Sequence, residues 1–284
     1  MKKFFKAVGI SVLYLLFFFA LQMAVIVGVL TFLCFMEMLP YLLMHTSPSI
    51  TSIINAAVET YMSNIFAITG FSDLVALLLF YLFFRIQKKK FFTENRILPI
   101  RPFALPWIFL IGVSFNIIVT RVIAWVPFPE AWQQTKNYVK GVMMQDHFIL
   151  ILLTIVLIGP VFEEIFFRGL LYRSLRGGMP EFLVIIISSL VFGLWHGNII
   201  QFFYTTVVGI LFCMLNLRTG SLLSGIIAHI TFNSASLVSA LIYHFYPEIS
   251  LVFFAGGIIV FLISFVMLFL STKSSREPAG YEIA

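Results

Sequence analysis

Charge is what this chain has least of. Asp, Glu, Lys and Arg make up 11% of its 284 residues, against roughly 25% in an average soluble domain. The apolar fraction is 61% and the mean hydropathy +1.05, which excludes a water-soluble globular protein and leaves little chain for a soluble domain. Cysteine is nearly missing: Cys34 and Cys213 both fall in apolar runs, where packing is expected and a disulfide is not. No Cys-x-x-Cys occurs, so no zinc ribbon or thioredoxin-like site is indicated. There is no His-Glu-x-x-His, no internal repeat and no low-complexity tail. The net charge is +6, but the basic residues are scattered among short loops and do not form the clustered patch of a nucleic-acid binder.

What fills the chain is apolar runs. A membrane-spanning helix needs about 20 such residues, and eight segments are candidates: about 7–35, 65–84, 104–126, 148–175, 181–200, 202–217, 221–243 and 251–271. The pattern predicts an all-α, polytopic membrane bundle of about eight transmembrane helices, a single integral-membrane domain over 1–284. The first run exceeds the roughly 7–15-residue core of a signal peptide and reads as an uncleaved first helix. The stretch 37–64, with Pro40, Pro48 and Glu59, predicts an extracytoplasmic loop with a surface helix near 50–63. The loop 127–146, with Trp132, Lys136 and Lys140, is expected to lie on the outer surface.

Charge orients the bundle. With the N-terminus inside, every Lys and Arg except Arg121, Lys136 and Lys140 falls on the cytoplasmic side, and 37–63 contains neither residue type. This bias predicts both termini in the cytoplasm. The basic loop from Arg85 to Arg101 also suits anionic lipid.

Against this background Glu163-Glu164 stands out at the end of the apolar run 148–162. A charge at the centre of a membrane helix costs roughly 2.5–3.5 kcal/mol on insertion scales. Pro160 lies just before the pair and predicts a kink that leaves the Val156 carbonyl without its helical donor. Glu164 and Arg168 are four residues apart and can pair. Glu163 is turned about 100° away, which makes it the freer carboxylate and the candidate base. Two further runs carry one histidine each: His196 at the end of the fifth, and His229 in the seventh, on one face with Asn233. At 1.5 Å per residue, Glu163, His196 and His229 lie roughly 20, 22 and 13 Å from the cytoplasmic helix ends, so all three can meet in one cavity. Taken singly, each has an ordinary reading: a rim ion pair, a core histidine, or a helix–helix hydrogen bond worth roughly 0.6–2 kcal/mol. Arg121 reads as snorkelling, and His45, His147 and His244 read as interfacial.

Glu163-Glu164-x-x-x-Arg168, Phe192-x-x-x-His196 and His229-x-x-x-Asn233, in that order, resemble the CPBP family: CAAX proteases and bacteriocin-processing enzymes of the abortive-infection type. The resemblance covers 163–233 and implies an intramembrane endopeptidase, a glutamate protease or a metalloendopeptidase. It implies Glu163 as general base with His196 assisting, His229 and Asn233 stabilising the oxyanion, and Glu164 and Arg168 holding the geometry. The reading favours chemistry without a cofactor. Zn²⁺ held by the glutamate and the two histidines, with water as fourth ligand, stays open.

The expected partners are the bilayer and a membrane-associated peptide, protein or lipopeptide, with no nucleic acid; no feature fixes the oligomeric state. The chain is read as a bacterial, multi-pass protein of the cell membrane. One alternative is a non-catalytic bacteriocin self-immunity factor or membrane scaffold, against which the intact trio argues. Another is a proton-coupled transporter, against which the lack of duplicated halves argues.

Overall fold

A computed structural model of the chain describes residues 1–129 and 148–272. His147, Lys273, Arg276 and nearly all of the loop expected at 127–146 lie outside the described residues. Within them the structure is helical, with no strand. Ten helices follow in order. The first five are α1 (Lys2–Leu43), α2 (Ile50–Ser63), α3 (Ile65–Ile86), the short α4 (Phe91–Glu94) and α5 (Leu105–Trp125). Then come α6 (148–176), α7 (Glu181–Trp195), α8 (Ile199–Thr219), α9 (Leu222–Phe245) and α10 (Ser250–Ser271). The fold is a polytopic helical bundle. The surface helix expected near 50–63 is α2.

Among the described residues six helical segments, not eight, are long and apolar enough to cross a membrane as uninterrupted spans. The two others depart for physical reasons that bear on the site. Helix α7 has 15 residues, about 22 Å at 1.5 Å per residue, against a hydrocarbon thickness near 30 Å. It stops short, and the chain turns at Gly197 with φ +62°. The Asn198 side chain then caps α8 by accepting from the amides of Ile200 and Gln201. Helix α6 is continuous but changes register. Leu153–Ile158 and Glu164–Leu171 are wound in the wide i→i+5 form, on either side of the α-helical turn Gly159–Glu163. Helix α1 is longer than expected: its 42 residues, about 63 Å, carry the helix past Met36, with Pro40 in its last turn.

Helices α3 and α6 run parallel, as the Gly70–Thr154 and Phe80–Phe166 contacts show. Helices α7 and α8 form an antiparallel hairpin, and α5 lies parallel to α9. Two apolar clusters result. One gathers Phe18, Phe80, Phe162, Phe166, Phe167 and Phe192; the other gathers Ile108, Ile111, Phe212, Leu215, Phe232 and Leu268. The polar site lies at the seam between them.

Without a hydrophobic drive between helices in lipid, close approach at small residues does much of the holding. At Gly112 a β-carbon would run into the Thr231 side chain and the backbone carbonyl of Ala228. Gly112→Leu should therefore lower the unfolding free energy by about 1–3 kcal/mol. Gly9→Leu, where nothing lies within 4 Å, should stay within about 0.5 kcal/mol of the parent. Thermal unfolding of the purified proteins in detergent checks both.

Candidate active site

The wide register of α6 decides where its polar groups point. The Gly159 amide bonds to the Thr154 carbonyl, five residues back. The next donor in that register would be Pro160, which has none. The carbonyl left over is therefore Ile155, not the Val156 expected from α-helical counting. The Asn233 amide takes that carbonyl at 2.8 Å, which ties α9 to α6 one turn beyond His229.

Glu164 is fully buried and its oxygens are occupied. Arg168 Nη1 donates to Oε1 at 2.7 Å. Nδ1 of His229 lies 3.3 Å from the same oxygen, and Asn216 Nδ2 donates to Oε2 at 3.4 Å. The Asn216 carbonyl in turn accepts from the Gly225 amide at 2.6 Å and from Ser224 Oγ at 3.0 Å, joining α8 to the first turn of α9. Arg168 lies over the Phe192 ring at 4.2 Å. A β-carbon at Gly209 would come within 2.9 Å of its Nη2, so that glycine makes room for the guanidinium.

Glu163 is the accessible carboxylate: its side chain is 20% exposed, and its Oε2 lies 3.5 Å from Nε2 of His229. His229 thus bridges the two glutamates with its two ring nitrogens. His196 follows the last residue of α7, with Nδ1 2.9 Å from the Phe192 carbonyl. A carbonyl only accepts, so Nδ1 carries the proton and Nε2 keeps its lone pair. The Phe192 ring stands perpendicular to both imidazoles, 4.9 Å from His196 and 5.9 Å from His229. The structure therefore joins Glu163, Glu164, Arg168 and His229 directly and brings His196 alongside through Phe192. Asn233 is engaged with backbone rather than turned to the same point as His229.

Three residues, Asn216, Asp73 and Gln22, went unnoticed in the sequence. Asn216 lies near the end of the apolar run 202–217. Asp73 on α3 is buried and accepts from Gln22 of α1 at 3.4 Å. The signal for Asp73 was present: it is the one acid in the apolar run 65–84. The other expected peripheral groups behave simply. Arg121 stacks near Trp125 and Tyr243, His45 is exposed after α1, and Cys34 and Cys213 are free thiols.

Of the alternative zinc set, Glu163 and His229 lie together, with Nε2 of His229 3.5 Å from Glu163 Oε2, while His196 does not join them as a third ligand. Among the described residues no three His, Cys, Asp or Glu side chains are grouped to hold a metal ion, and no step is routed through one.

Removing one partner of a buried ion pair strands the other charge. Arg168→Met should cost about 3–5 kcal/mol of unfolding free energy, and pairing it with Glu164→Leu should recover most of that loss. Detergent unfolding of the two variants measures this; an unchanged single variant would contradict the pairing.

Residues 145–235 match the family model described as Type II CAAX prenyl endopeptidase Rce1-like. The curated protein "Putative membrane peptidase YdiL" of Bacillus subtilis (strain 168) is 31% identical over 85 residues, which cover 30% of this chain and 35% of that relative. The alignment thus spans about a third of the relative's length. No solved structure gives a significant match. Residues 145–235, which carry all six candidate site residues, are thus similar to the Rce1-like type II CAAX prenyl endopeptidases.

Proposed function

We propose that the protein is an intramembrane endopeptidase that hydrolyses peptide bonds of membrane-associated peptides or lipopeptides. The observation that carries this reading is the division of labour between adjacent carboxylates. Glu164 is wholly buried and committed to Arg168, while Glu163 is reachable and has no guanidinium of its own. A base must be able to approach its proton; a positioning group must not move.

In this reading Glu163 takes a proton from water, with the free Nε2 of His196 orienting that water. The resulting hydroxide adds to the scissile carbonyl. His229, held as an imidazolium between the two carboxylates, keeps Nδ1–H on Glu164 and turns Nε2–H from Glu163 to the developing oxyanion. Asn233 holds one amide hydrogen on Ile155 and offers the other. Glu163 then returns its proton to the leaving nitrogen. Arg168 and Asn216 keep Glu164 fixed throughout.

General bases contribute typically 10²–10⁴-fold. Glu163→Ala and His196→Ala should each reduce cleavage by about that factor while the protein stays inserted and monodisperse. Mass spectrometry of peptides and small membrane proteins from wild-type and variant membranes checks this. A species that accumulates uncleaved only in the variants gives the substrate and its bond. Undiminished cleavage in either variant would overturn the assignment, and no difference under any growth condition would favour an immunity or scaffold role.

A further inference from the structure

A cavity of about 580 Å³ lies between α1, α3 and the later turns of α6, and none of the candidate site residues lines it. Ligand sites commonly measure about 300–1,000 Å³ and pair an apolar lining with a few polar groups. Here the wall is aliphatic and aromatic: Leu13 and Phe17 from α1, Leu79, Phe80 and Phe83 from α3, and Leu170 from α6. Phe80 is buried and fixed, in edge contact with Tyr14 at 6.5 Å and against Phe17 at 5.8 Å. Leu13, Phe17 and Phe83 are exposed on the outer flank of the bundle. The cavity therefore opens sideways, toward the hydrocarbon, and a chain can enter it from the bilayer.

Its charged groups all sit at one end. Lys89 follows α3, Glu94 ends α4, and Arg173 lies just past the wide turn of α6. Along α3 the lining runs from Leu79 to Gln87, about 12 Å at 1.5 Å per residue. It is apolar at depth and charged at the rim, which is the polarity of an amphiphile. Arg173 is committed: Nη1 donates to the Glu94 carbonyl at 2.8 Å, and Nη2 pairs with the Glu94 carboxylate. That pair cancels its own charge. Lys89 remains as the rim cation, with no carboxylate partner among the described residues. Arg85, Lys88 and Lys90 flank it in the chain. The bias of basic residues places this end at the cytoplasmic face, where anionic lipids concentrate and where basic pockets between helices take lipid head groups.

We propose that this cavity binds one anionic phospholipid of the cytoplasmic leaflet, with an acyl chain along the Phe80 wall and the phosphate at Lys89. A neutral amphiphile satisfies the wall and leaves the lysine unmatched. The bound lipid fastens α1 and α3 to Leu170, which lies in the wide turn that carries Glu164 and Arg168. The site stands whether or not the protein cleaves peptides.

The test is native mass spectrometry of the full-length protein, delipidated in nonionic detergent and titrated with dioleoylphosphatidylglycerol or dioleoylphosphatidylcholine, which carry the same chains. Wild type should hold one phosphatidylglycerol at least about fivefold more tightly than phosphatidylcholine, the factor one lysine near an anionic head group supplies. Lys89→Gln should lower that ratio about fivefold, and Lys88→Gln, outside the lining, by less than about twofold. Ile10→Trp, which fills the cavity from α1, should weaken both lipids at least about tenfold. Leu79→Trp fills it from α3 and serves if the first variant does not fold. Bound phosphatidylglycerol should also raise the thermal midpoint of wild type and not of the filled variants. Binding undiminished by either tryptophan would overturn the proposal, as would a ratio equally sensitive to Lys88 and Lys89. Equal affinity for the two lipids would overturn it too, and would assign the cavity to uncharged chains such as the lipid group of a substrate.

Discussion

The buried contact between Glu164 and Arg168 is the constraint around which the rest is arranged. A carboxylate with no exposure inside a membrane bundle is tolerated only when its charge is met and its lone pairs are filled. Meeting that demand recruits a guanidinium from the next turn of α6, an amide from α8 and an imidazole from α9. It also requires an aromatic face beneath Arg168 and a glycine on α8 beside it. Such a pair is a weak source of stability against an apolar replacement. What it supplies is registration: three helices are pinned to one point, and the neighbouring carboxylate is left uncommitted.

The wide turns of α6 serve the same end. Stretches with i→i+5 bonding are uncommon and recur at functional sites. Here they bracket the one α-helical turn that ends at Glu163. The missing donor of Pro160 falls on Ile155, and Asn233 supplies the replacement from α9. The proline that opens the helix thereby fixes the helix opposite it. The early end of α7 completes the arrangement by leaving His196 at the helix end, its Nδ1 held by the Phe192 carbonyl.

Much of this was legible in the sequence because polar residues are conspicuous in an apolar chain. The glutamate pair, both histidines and Arg168 stand out for that reason, and the apolar runs mark the helices. Less legible was anything that depends on register or length. Counting carbonyls back from Pro160 assumes α-helical bonding and arrives one residue off. Apolar composition continues through Ile199 and Ile200, so it hides the stop at Trp195, which the φ of Gly197 reveals. The partners of His229 were assigned to substrate, whereas both its nitrogens meet carboxylates in this structure. Asp73 went unread because a single acid in a span has no spacing to interpret; its partner, Gln22, comes from α1.

The central claim is that Glu163 acts on water and does not itself attack the peptide. Cleavage of a substrate through repeated turnovers in ¹⁸O-labelled water, followed by mass spectrometry of product and enzyme, tests it most directly. The account predicts label in the new product carboxylate and none in the Glu163 side chain. Label accumulating in Glu163 would show that its carboxylate had formed and lost an acyl bond, and would contradict the account.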